Sequence, residues 1–289
     1  MPPPQVLLLG SIASVQFGSA FATELFAQAG PGGVVMLRLL LSALMLAAIS
    51  RPSLRGRSSA DIRAAIAFGL ILGAMNWSFY EALDRLPIGV AVTIEFVGPL
   101  AVAVAGSRRP LDLLWVLLAG GGVALLAFRG DHREIKALGV VLALVAGACW
   151  AAYILLSKRV GASFAALDGL AIALCIGSVV VIPAGVVEGG RALGRPSVLA
   201  GGLAVALLSS LIPYSLEIVA LRRLSAAAFG LLMSLEPAVA ALAGLLVLGQ
   251  RLTGVLAVAV VMVVTASIGT TIAGHSAVGG VGDELQPSA

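Results

Sequence analysis

The sequence predicts an all-α membrane protein of ten transmembrane helices, arranged as two inverted five-helix repeats. Three observations support this prediction. Of the 289 residues, 60% are hydrophobic and only 11% are charged, whereas soluble domains carry about 25% charged residues. The apolar residues fall into runs of the length, about 20 residues, that a helix needs to cross the hydrocarbon core. Finally, features of the first half recur in the second at an offset of 138 residues, the separation of Pro99 and Pro237.

Each predicted span is an apolar run bounded by charged or turn-forming residues. The first run resembles a signal peptide, but residues 1–5 contain no basic side chain, so we interpret it as a retained helix. The predicted spans are 6–27, 32–50, 63–83, 87–106, 111–128, 137–157, 168–187, 197–221, 225–248 and 253–273. We therefore predict a first repeat over 1–128, a second over 137–273 and a disordered cytoplasmic tail, Gly-rich and polar, over 274–289.

Basic residues in the short loops predict the orientation, because they are enriched on the cytoplasmic side of a membrane. Ten lie on one side of the ten-span zigzag: Arg51, Arg55, Arg57, Arg63, Arg108, Arg109, Lys158, Arg159, Arg222 and Arg223. Fewer lie on the other side, where acidic residues dilute them. Both termini are therefore expected in the cytoplasm.

The internal repeat predicts the inverted arrangement. It relates ALDRLPIGVAVTIEFVGPLAVAVAG, residues 82–106, to ALRRLSAAAFGLLMSLEPAVAALAG, residues 220–244. Arg85 aligns with Arg223 and Pro99 with Pro237, which argues against a likeness due only to Ala- and Leu-rich composition. Five spans per half is an odd number, so equivalent helices must cross in opposite directions. Secondary transporters share this plan, and their substrate sites lie near the midplane between the repeats.

Two acidic residues near prolines are the main candidates for function. Glu95 lies four residues before Pro99, which lacks the N–H that the Glu95 carbonyl would bond, and Glu236 directly precedes Pro237. Polar groups this far inside a span are costly and are tolerated mainly where they line an enclosed or watery cavity. We interpret both glutamates as candidates for proton coupling. The alternative is that each is protonated and joins two helices by a hydrogen bond.

Further polar and aromatic side chains within the spans predict a lining for a small polar solute. Asn76 and Tyr80 are four residues apart and Trp150 and Tyr153 three apart, so each pair shares a helix face. Arg38 could bind a carboxylate or pair with a buried glutamate, and the aromatic side chains could instead serve packing. The predicted substrate-binding residues are Arg38, Asn76, Tyr80, Glu95, Trp150, Tyr153, Tyr214 and Glu236. By contrast, Glu24, Glu81 and Glu217 lie near span ends and are expected to reach the membrane interface.

Several functional classes find no support in the sequence. The net charge of +4 is spread over short turns, so we expect no nucleic-acid partner, which would require a continuous basic face. Metalloprotease and phosphate-loop motifs are absent, and His132 and His275 fall in a loop and the tail. Cys149 and Cys175 lie within apolar runs, so no disulfide framework is implied. We therefore expect neither an enzyme nor a cofactor.

Long stretches resemble the EamA branch of the drug/metabolite transporter superfamily, and within it the bacterial inner-membrane threonine/homoserine exporters. The stretches are GAMNWSFY (73–80), PIGVAVTIEFVGPLAVAVAGSRRPLDLLWVLLA (87–119), AGACWAAYIL (146–155), PYSLEIVALRRL (213–224) and FGLLMSLEPAVAAL (229–242). The resemblance implies the ten-helix fold, a central cavity and export of small amino acids from a bacterium, with protons and the lipid bilayer as further partners. One departure is Gln250, where the family usually has a glutamate, so a proton role for that position is in doubt.

Alternatives remain at this point. The substrate could be another amino acid, a drug or another metabolite, and the protein could instead be an uncoupled channel or a membrane scaffold. A homodimer is also left open.

Overall fold

The chain is folded almost entirely into helices. The computed structural model describes residues 2–105, 111–129, 135–221, 223–224 and 226–283, and within these ranges it contains helices, turns and no strand. The helices are α1 (Pro4–Ser50), α2 (Ser59–Leu83), α3 (Ile88–Glu95), α4 (Val97–Ala105), α5 (Leu111–Arg129), α6 (Ala137–Ser163), α7 (Ala166–Gly189), α8 (Pro196–Ala206), α9 (Ile212–Leu221), α10 (Ala226–Met233), α11 (Glu236–Leu248) and α12 (Gly254–Asp283).

Most of these helices are suited to crossing a membrane. Among the described residues, 8 helical stretches are long and apolar enough to span, and the apolar part of α5, 113–129, is shorter. Large apolar side chains on the outer surface, such as Leu117, Phe128 and Val187, are exposed. Such a surface suits contact with lipid rather than with water. The prediction of an all-helical, multi-pass membrane protein is confirmed.

The first helix is too long for a single crossing. α1 has 47 residues, about 70 Å at 1.5 Å per residue, against a hydrocarbon thickness of about 30 Å. It turns sharply at Gly30, whose φ of 66° and ψ of 162° are accessible to glycine but not to residues with a side chain. Pro31 follows, and Glu188 at the end of α7 accepts a hydrogen bond of 2.6 Å from the Gly32 N–H.

Two further spans are interrupted close to the predicted Glu–Pro positions. The first changes from α3 to α4 at Phe96, directly after Glu95, where Pro99 cannot supply the usual bond to the Glu95 carbonyl. The second changes from α10 to α11 at residues 234–235, directly before Glu236. Proline at the start of a helix costs little, which explains why Pro237 sits in the first turn of α11.

A third interruption separates α8 from α9. Residues Leu207–Leu211 form a π-helical segment in which the Ile212 N–H bonds the Leu207 carbonyl, and Pro213 follows. Such π segments occur mostly as single turns and are frequent at functional sites.

Small residues let the helices approach closely. α1 packs on α7, α8 and α9, α2 on α6 and α7, and α5 on α12. At the crossing of α2 and α7, a methyl group on Gly73 would lie 2.8 Å from the Gly177 carbonyl oxygen. Close backbone contact through glycine is typical of helix association in membranes.

The end of α12 differs from the prediction. The helix continues to Asp283, so the first part of the predicted tail over 274–289 is helical in the structure, and 284–289 lie outside the described residues. Apolar and small residues continue past 273, which allows the helix to extend although Gly-rich sequence suggested a stop. Arg108, Arg109 and Arg222 of the orientation argument also lie outside the described residues.

Candidate functional site

A cavity of about 560 Å³ lies in the core of the helical bundle. Its wall draws on α1, α2, α3, α4, α6, α9, α10, α11, α12 and the π segment. The polar residues on the wall are Gln16, Ser19, Arg38, Asn76, Glu95, Trp150, Tyr153, Ser157, Ser209, Tyr214, Glu217, Glu236, Ser267, Thr270 and Thr271. A pocket of this size, mostly apolar with a few converging polar groups, is typical of small-molecule sites.

The cavity gathers nearly all of the residues predicted to bind substrate. Arg38, Asn76, Glu95, Trp150, Tyr153, Tyr214 and Glu236 are on its wall. Tyr80 is not on the wall: it is completely buried and contacts the Arg38 side chain instead. The helical spacing placed Tyr80 on the same face as Asn76, but one turn farther along α2 that face meets α1 rather than the cavity.

Arg38 brings a buried positive charge to the wall. One terminal nitrogen donates to the Tyr80 hydroxyl at 3.3 Å and the other to the Ser209 carbonyl oxygen at 2.9 Å. The guanidinium carbon also lies 5.4 Å from the centre of the Tyr80 ring. Within the described part of the chain, no carboxylate oxygen comes within 4.0 Å of the guanidinium, so these contacts orient the charge without neutralising it.

Three carboxylates share the cavity with Arg38. Glu95 is the last residue of α3 and Glu236 the first residue of α11, and both are more than nine-tenths buried. Glu217 of α9 also lies on the wall and accepts a hydrogen bond of 2.7 Å from the Ser11 hydroxyl. Glu217 was expected only to reach the interface, whereas in the structure it lines the cavity.

Glu217 was missed because it stands only one turn before the end of α9, where distance along the chain suggests an interfacial position. The other two residues with the same expectation do lie apart from the cavity. Glu24 is exposed, and Glu81 forms an ion pair of 2.7 Å with Arg85 one turn away.

Aromatic contacts fix the shape of the wall. Trp150 meets Phe96 edge to face, with ring centres 5.6 Å apart, and Tyr153 stacks on Phe68 at 4.9 Å. Asn76 donates its amide to the Leu72 carbonyl at 2.9 Å, which holds the side chain against its own helix. These rings and the amide are held by protein partners, so the wall is preorganised.

The hydroxyl groups of α12 form a polar strip that the sequence analysis did not identify. Ser267 exchanges a hydrogen bond of 2.8 Å with Ser234, and Thr270 and Thr271 both donate to the Ser267 carbonyl. Ser and Thr occur throughout apolar helices, so only their spacing along one face of α12 could have indicated this strip.

Two contacts hold the ends of the helices that carry the glutamates. The Glu95 carbonyl oxygen, left free by Pro99, faces α6, where a methyl group on Gly147 would lie 2.7 Å from it. Gln250 lies at the opposite end of α11, and its side-chain oxygen accepts from the Ile88 N–H at 3.0 Å, capping the start of α3. This contact needs an acceptor oxygen but no titratable group, which explains how glutamine serves at that position.

Nothing in the described residues suggests a metal site: no group of three or more His, Cys, Asp or Glu side chains there could hold an ion.

Comparisons with known proteins agree with this architecture. The EamA-like transporter family matches residues 137–272. Two relatives named threonine/homoserine exporter RhtA, from Salmonella typhimurium (strain LT2) and Escherichia coli (strain K12), are each 44% identical over 271 residues, covering 93% of this chain and 91% of theirs. A solved crystal structure of a protein 18% identical in sequence superposes with a TM-score of 0.60, covering 92% of this chain and 96% of that one, and shows the fold alone. The relatives and the buried polar cavity lead to one conclusion: the chain belongs to the EamA-like transporter family.

Proposed function

We propose that this protein exports threonine, homoserine and similar small hydrophilic amino acids across the inner membrane of a bacterium. The observation that carries the proposal is the buried cavity that holds one arginine and three glutamates, in a chain whose full-length relatives are named threonine/homoserine exporters. A zwitterion requires both signs of charge and shielding from lipid, and this cavity supplies both.

Each part of the substrate has a partner on the wall. Glu95 and Glu236 accept hydrogen bonds from the ammonium, and Arg38 pairs with the carboxylate. Asn76, Tyr153 and Tyr214 bond the hydroxyl group, while the Trp150 ring packs against the substrate carbons. A buried polar group left unpaired costs about 1–3 kcal/mol. That is enough for a preference, so several small hydrophilic amino acids share the route.

We infer that the ten spans form two inverted repeats. The turn at Gly30 divides α1 into two membrane crossings, so the 8 long apolar stretches become nine spans, and the shorter α5 is the tenth. The helix bounds support the repeat: α3, Ile88–Glu95, and α10, Ala226–Met233, start and end 138 residues apart. The same offset relates the ends of α2 and α9, at Leu83 and Leu221.

We further infer that the cavity opens to the cytoplasm in this conformation. The wall residues of α4 and α9, such as Ala103 and Glu217, lie toward the ends that the basic loops assign to the cytoplasm. At the other end, contacts close the bundle, namely Gln250 on Ile88 and Glu188 on Gly32. An exporter must load its substrate from that open side.

Proton exchange is the proposed driving force. Glu95 and Glu236 are buried in the cavity that would hold the substrate ammonium, so proton and substrate would compete for the same carboxylates. Competition of this kind is sufficient for antiport, because the site releases protons when the amino acid binds.

An export assay tests the proposal. Cells that overproduce the protein should tolerate added threonine or homoserine better and retain a smaller labelled pool than cells without it. Glu95→Gln and Glu236→Gln should each lower export about tenfold or more and remove its dependence on the proton gradient. Glu24→Gln is the matched control, because Glu24 is exposed and away from the cavity.

The outcomes separate the alternatives. Unchanged tolerance with the protein shown to be in the membrane would remove the threonine and homoserine assignment in favour of other amino acids, drugs or metabolites. Full export and unchanged proton dependence in both cavity variants would make the carboxylates structural. Efflux that only follows the solute gradient would favour an uncoupled channel.

Labelling of single cysteines tests the orientation. In a background without Cys149 and Cys175, a cysteine at Arg55 should resist an impermeant thiol reagent in intact cells, and a cysteine at Arg195 should react. Efficient labelling at position 55 from outside would contradict cytoplasmic termini.

A further inference from the structure

Four buried polar atoms beside the cavity have no hydrogen-bond partner. They are Gln16 Oε1, Ser19 Oγ, Arg38 Nε and Ser209 Oγ. All four side chains are more than nine-tenths buried, and all four residues line the cavity. Buried polar groups are nearly always paired in native proteins, so such a group of unpaired atoms at a cavity wall indicates a ligand.

Two of these residues, Arg38 and Ser209, are in contact where α1 packs on the π segment, and Gln16 and Ser19 lie on the same cavity wall. Ser209 supplies the carbonyl that holds Arg38 at 2.9 Å. Its hydroxyl lies against Gly18 in the first half of α1, next to Ser19 in the chain, where an added methyl group would contact it. Arg38, in the second half of α1, thus meets the first half of the same helix across Ser209.

Pro213 explains why the Ser209 carbonyl is available to Arg38. In the π pattern the amide of residue 213 would bond the Leu208 carbonyl, and in the α pattern it would bond the Ser209 carbonyl, but proline has no N–H. Both carbonyls instead accept from side chains of α1: Leu208 from the Ser14 hydroxyl at 2.6 Å and Ser209 from Arg38. The π segment and Pro213 therefore fix the position of Arg38.

We propose that Arg38, Ser19 and Ser209 form the subsite for the α-carboxylate of the transported amino acid, and that Pro213 and Tyr80 are positioning residues for Arg38. This inference rests on the proposed function, in that the cavity takes a free amino acid. The Arg38 Nε–H and the two hydroxyls donate to the carboxylate oxygens. Gln16 Oε1, on the same cavity wall, accepts from the ammonium on the same carbon.

The charge balance favours a carboxylate over water. Water would satisfy the two hydroxyls but would leave the guanidinium without a directly bonded carboxylate, since no described carboxylate oxygen lies within 4.0 Å of it. A carboxylate satisfies the hydroxyls and the charge together, and hydrogen bonds to charged groups are worth about 1.5–3 kcal/mol. A simple anion has no donor for the unpaired Gln16 Oε1, whereas the ammonium of a zwitterion can donate to it.

Binding of matched ligands to the purified full-length protein tests the subsite. The probes are L-threonine, L-threoninamide, which lacks the carboxylate, and several other L-amino acids with their amides. Binding is followed by thermal stabilisation in detergent and by competition with labelled threonine in proteoliposomes. Threoninamide should compete about 10- to 100-fold more weakly than threonine with the wild-type protein.

Variants separate carboxylate recognition from general damage. Ser19→Ala, Ser209→Ala and Arg38→Lys should each weaken threonine binding severalfold to tenfold while leaving the weak binding of threoninamide unchanged. Pro213→Ala restores an N–H that competes with Ser14 for the Leu208 carbonyl in the π pattern or with Arg38 for the Ser209 carbonyl in the α pattern, and should act in the same way. Ser178→Ala and Pro183→Ala are the controls, because both residues lie on α7 away from the cavity wall.

The outcomes distinguish this subsite from the proposed function. Equal binding of threonine and threoninamide by the wild-type protein would overturn the subsite and leave threonine export standing. If other amino acids bind but threonine does not, and if the amide of each such amino acid fails to bind, the subsite would be supported and the threonine assignment rejected. No response to any amino acid would overturn both.

Discussion

The two interrupted helices, α3–α4 and α10–α11, are held at their interruptions by different kinds of contact. The first is wedged against α6 by backbone contacts: the Glu95 carbonyl faces Gly147, and Gly98 contacts the Gly147 carbonyl. The second is supported by side chains, since Ser234 shares a hydrogen bond of 2.8 Å with Ser267 on α12. Backbone atoms in direct contact cannot move aside by changing a rotamer, whereas a hydroxyl group can rotate to another hydrogen-bond partner. We therefore refer to the first interruption, at Phe96, as the fixed element and to the second, at residues 234–235, as the adaptable element.

The glutamates occupy opposite sides of these interruptions. Glu95 ends a half-helix and Glu236 begins one. Glu95 thus comes before the interruption of the fixed element, and Glu236 comes after the interruption of the adaptable element. A substrate held between them would contact one rigid and one adaptable wall.

Substituting alanine at Gly147 should break the fixed element and give the largest effect. The new methyl group would lie 2.7 Å from the Glu95 carbonyl oxygen, which has no flexible side chain to yield. Overpacking of this kind costs about 1–3 kcal/mol, and we expect a value near 3 kcal/mol with loss of export. Thermal unfolding in detergent measures it.

Gly120→Ala is the control for Gly147→Ala, because a methyl group there meets no atom within 4 Å. Equal stability of the Gly147 and Gly120 variants would show that the interruption at Glu95 is not fixed by α6.

Gln250→Ala should give the next largest effect, because Gln250 links the adaptable helix to the start of the fixed one. The variant leaves the buried Ile88 N–H without its acceptor, at a cost of about 1–2 kcal/mol. Gln250→Glu keeps an acceptor oxygen beside a helix N-terminus and should be neutral or slightly stabilising. If both variants behave alike in thermal unfolding, the cap is not the function of this residue.

Loss of the hydroxyl pair should cost about 1 kcal/mol, the usual worth of a neutral hydrogen bond. Ser234→Ala, Ser267→Ala and the double variant form a cycle that isolates the pair. We expect the double variant to lose little more stability than either single variant. Strictly additive losses would mean that the two hydroxyls do not depend on each other.

The smallest effect is expected at Gly230 of α10. A methyl group there would lie 3.4 Å from the Thr271 side chain, an ordinary contact, so Gly230→Ala should change stability by less than about 0.5 kcal/mol. A loss as large as that of Gly147→Ala would remove the contrast between the two interruptions.

Several helix bounds could be predicted because the length of an apolar run must match the thickness of the membrane that it crosses. The bounds of α2, at Leu83, and α5, at Leu111, agree with the apolar runs, and the break after Glu95 follows from the missing N–H of Pro99. The turn at Gly30 lies in the gap, 28–31, between the first two predicted spans, and α1 continues on both sides of it.

The cavity was harder to predict because its polar groups depend on tertiary contacts. Glu217 was set aside although Ser11, far away in the chain, turns it inward. Gln16 and Ser19 are isolated polar residues in an apolar run and form no periodic pattern. The role of Ser209 depends on the π segment, which no local sequence pattern predicts. Tyr80 was predicted to line the cavity, whereas in the structure it contacts Arg38 instead.

The corner at Gly30 has a consequence for biosynthesis. No loop separates the two parts of α1, and the Gly32 N–H beside the turn donates to Glu188, 156 residues later. During synthesis, the Gly32 N–H therefore lacks this acceptor until α7, which carries Glu188, has been made. A gene split between α5 and α6 would produce a first fragment that lacks this acceptor, and the Gly32 N–H would gain it only when the second fragment assembles beside it.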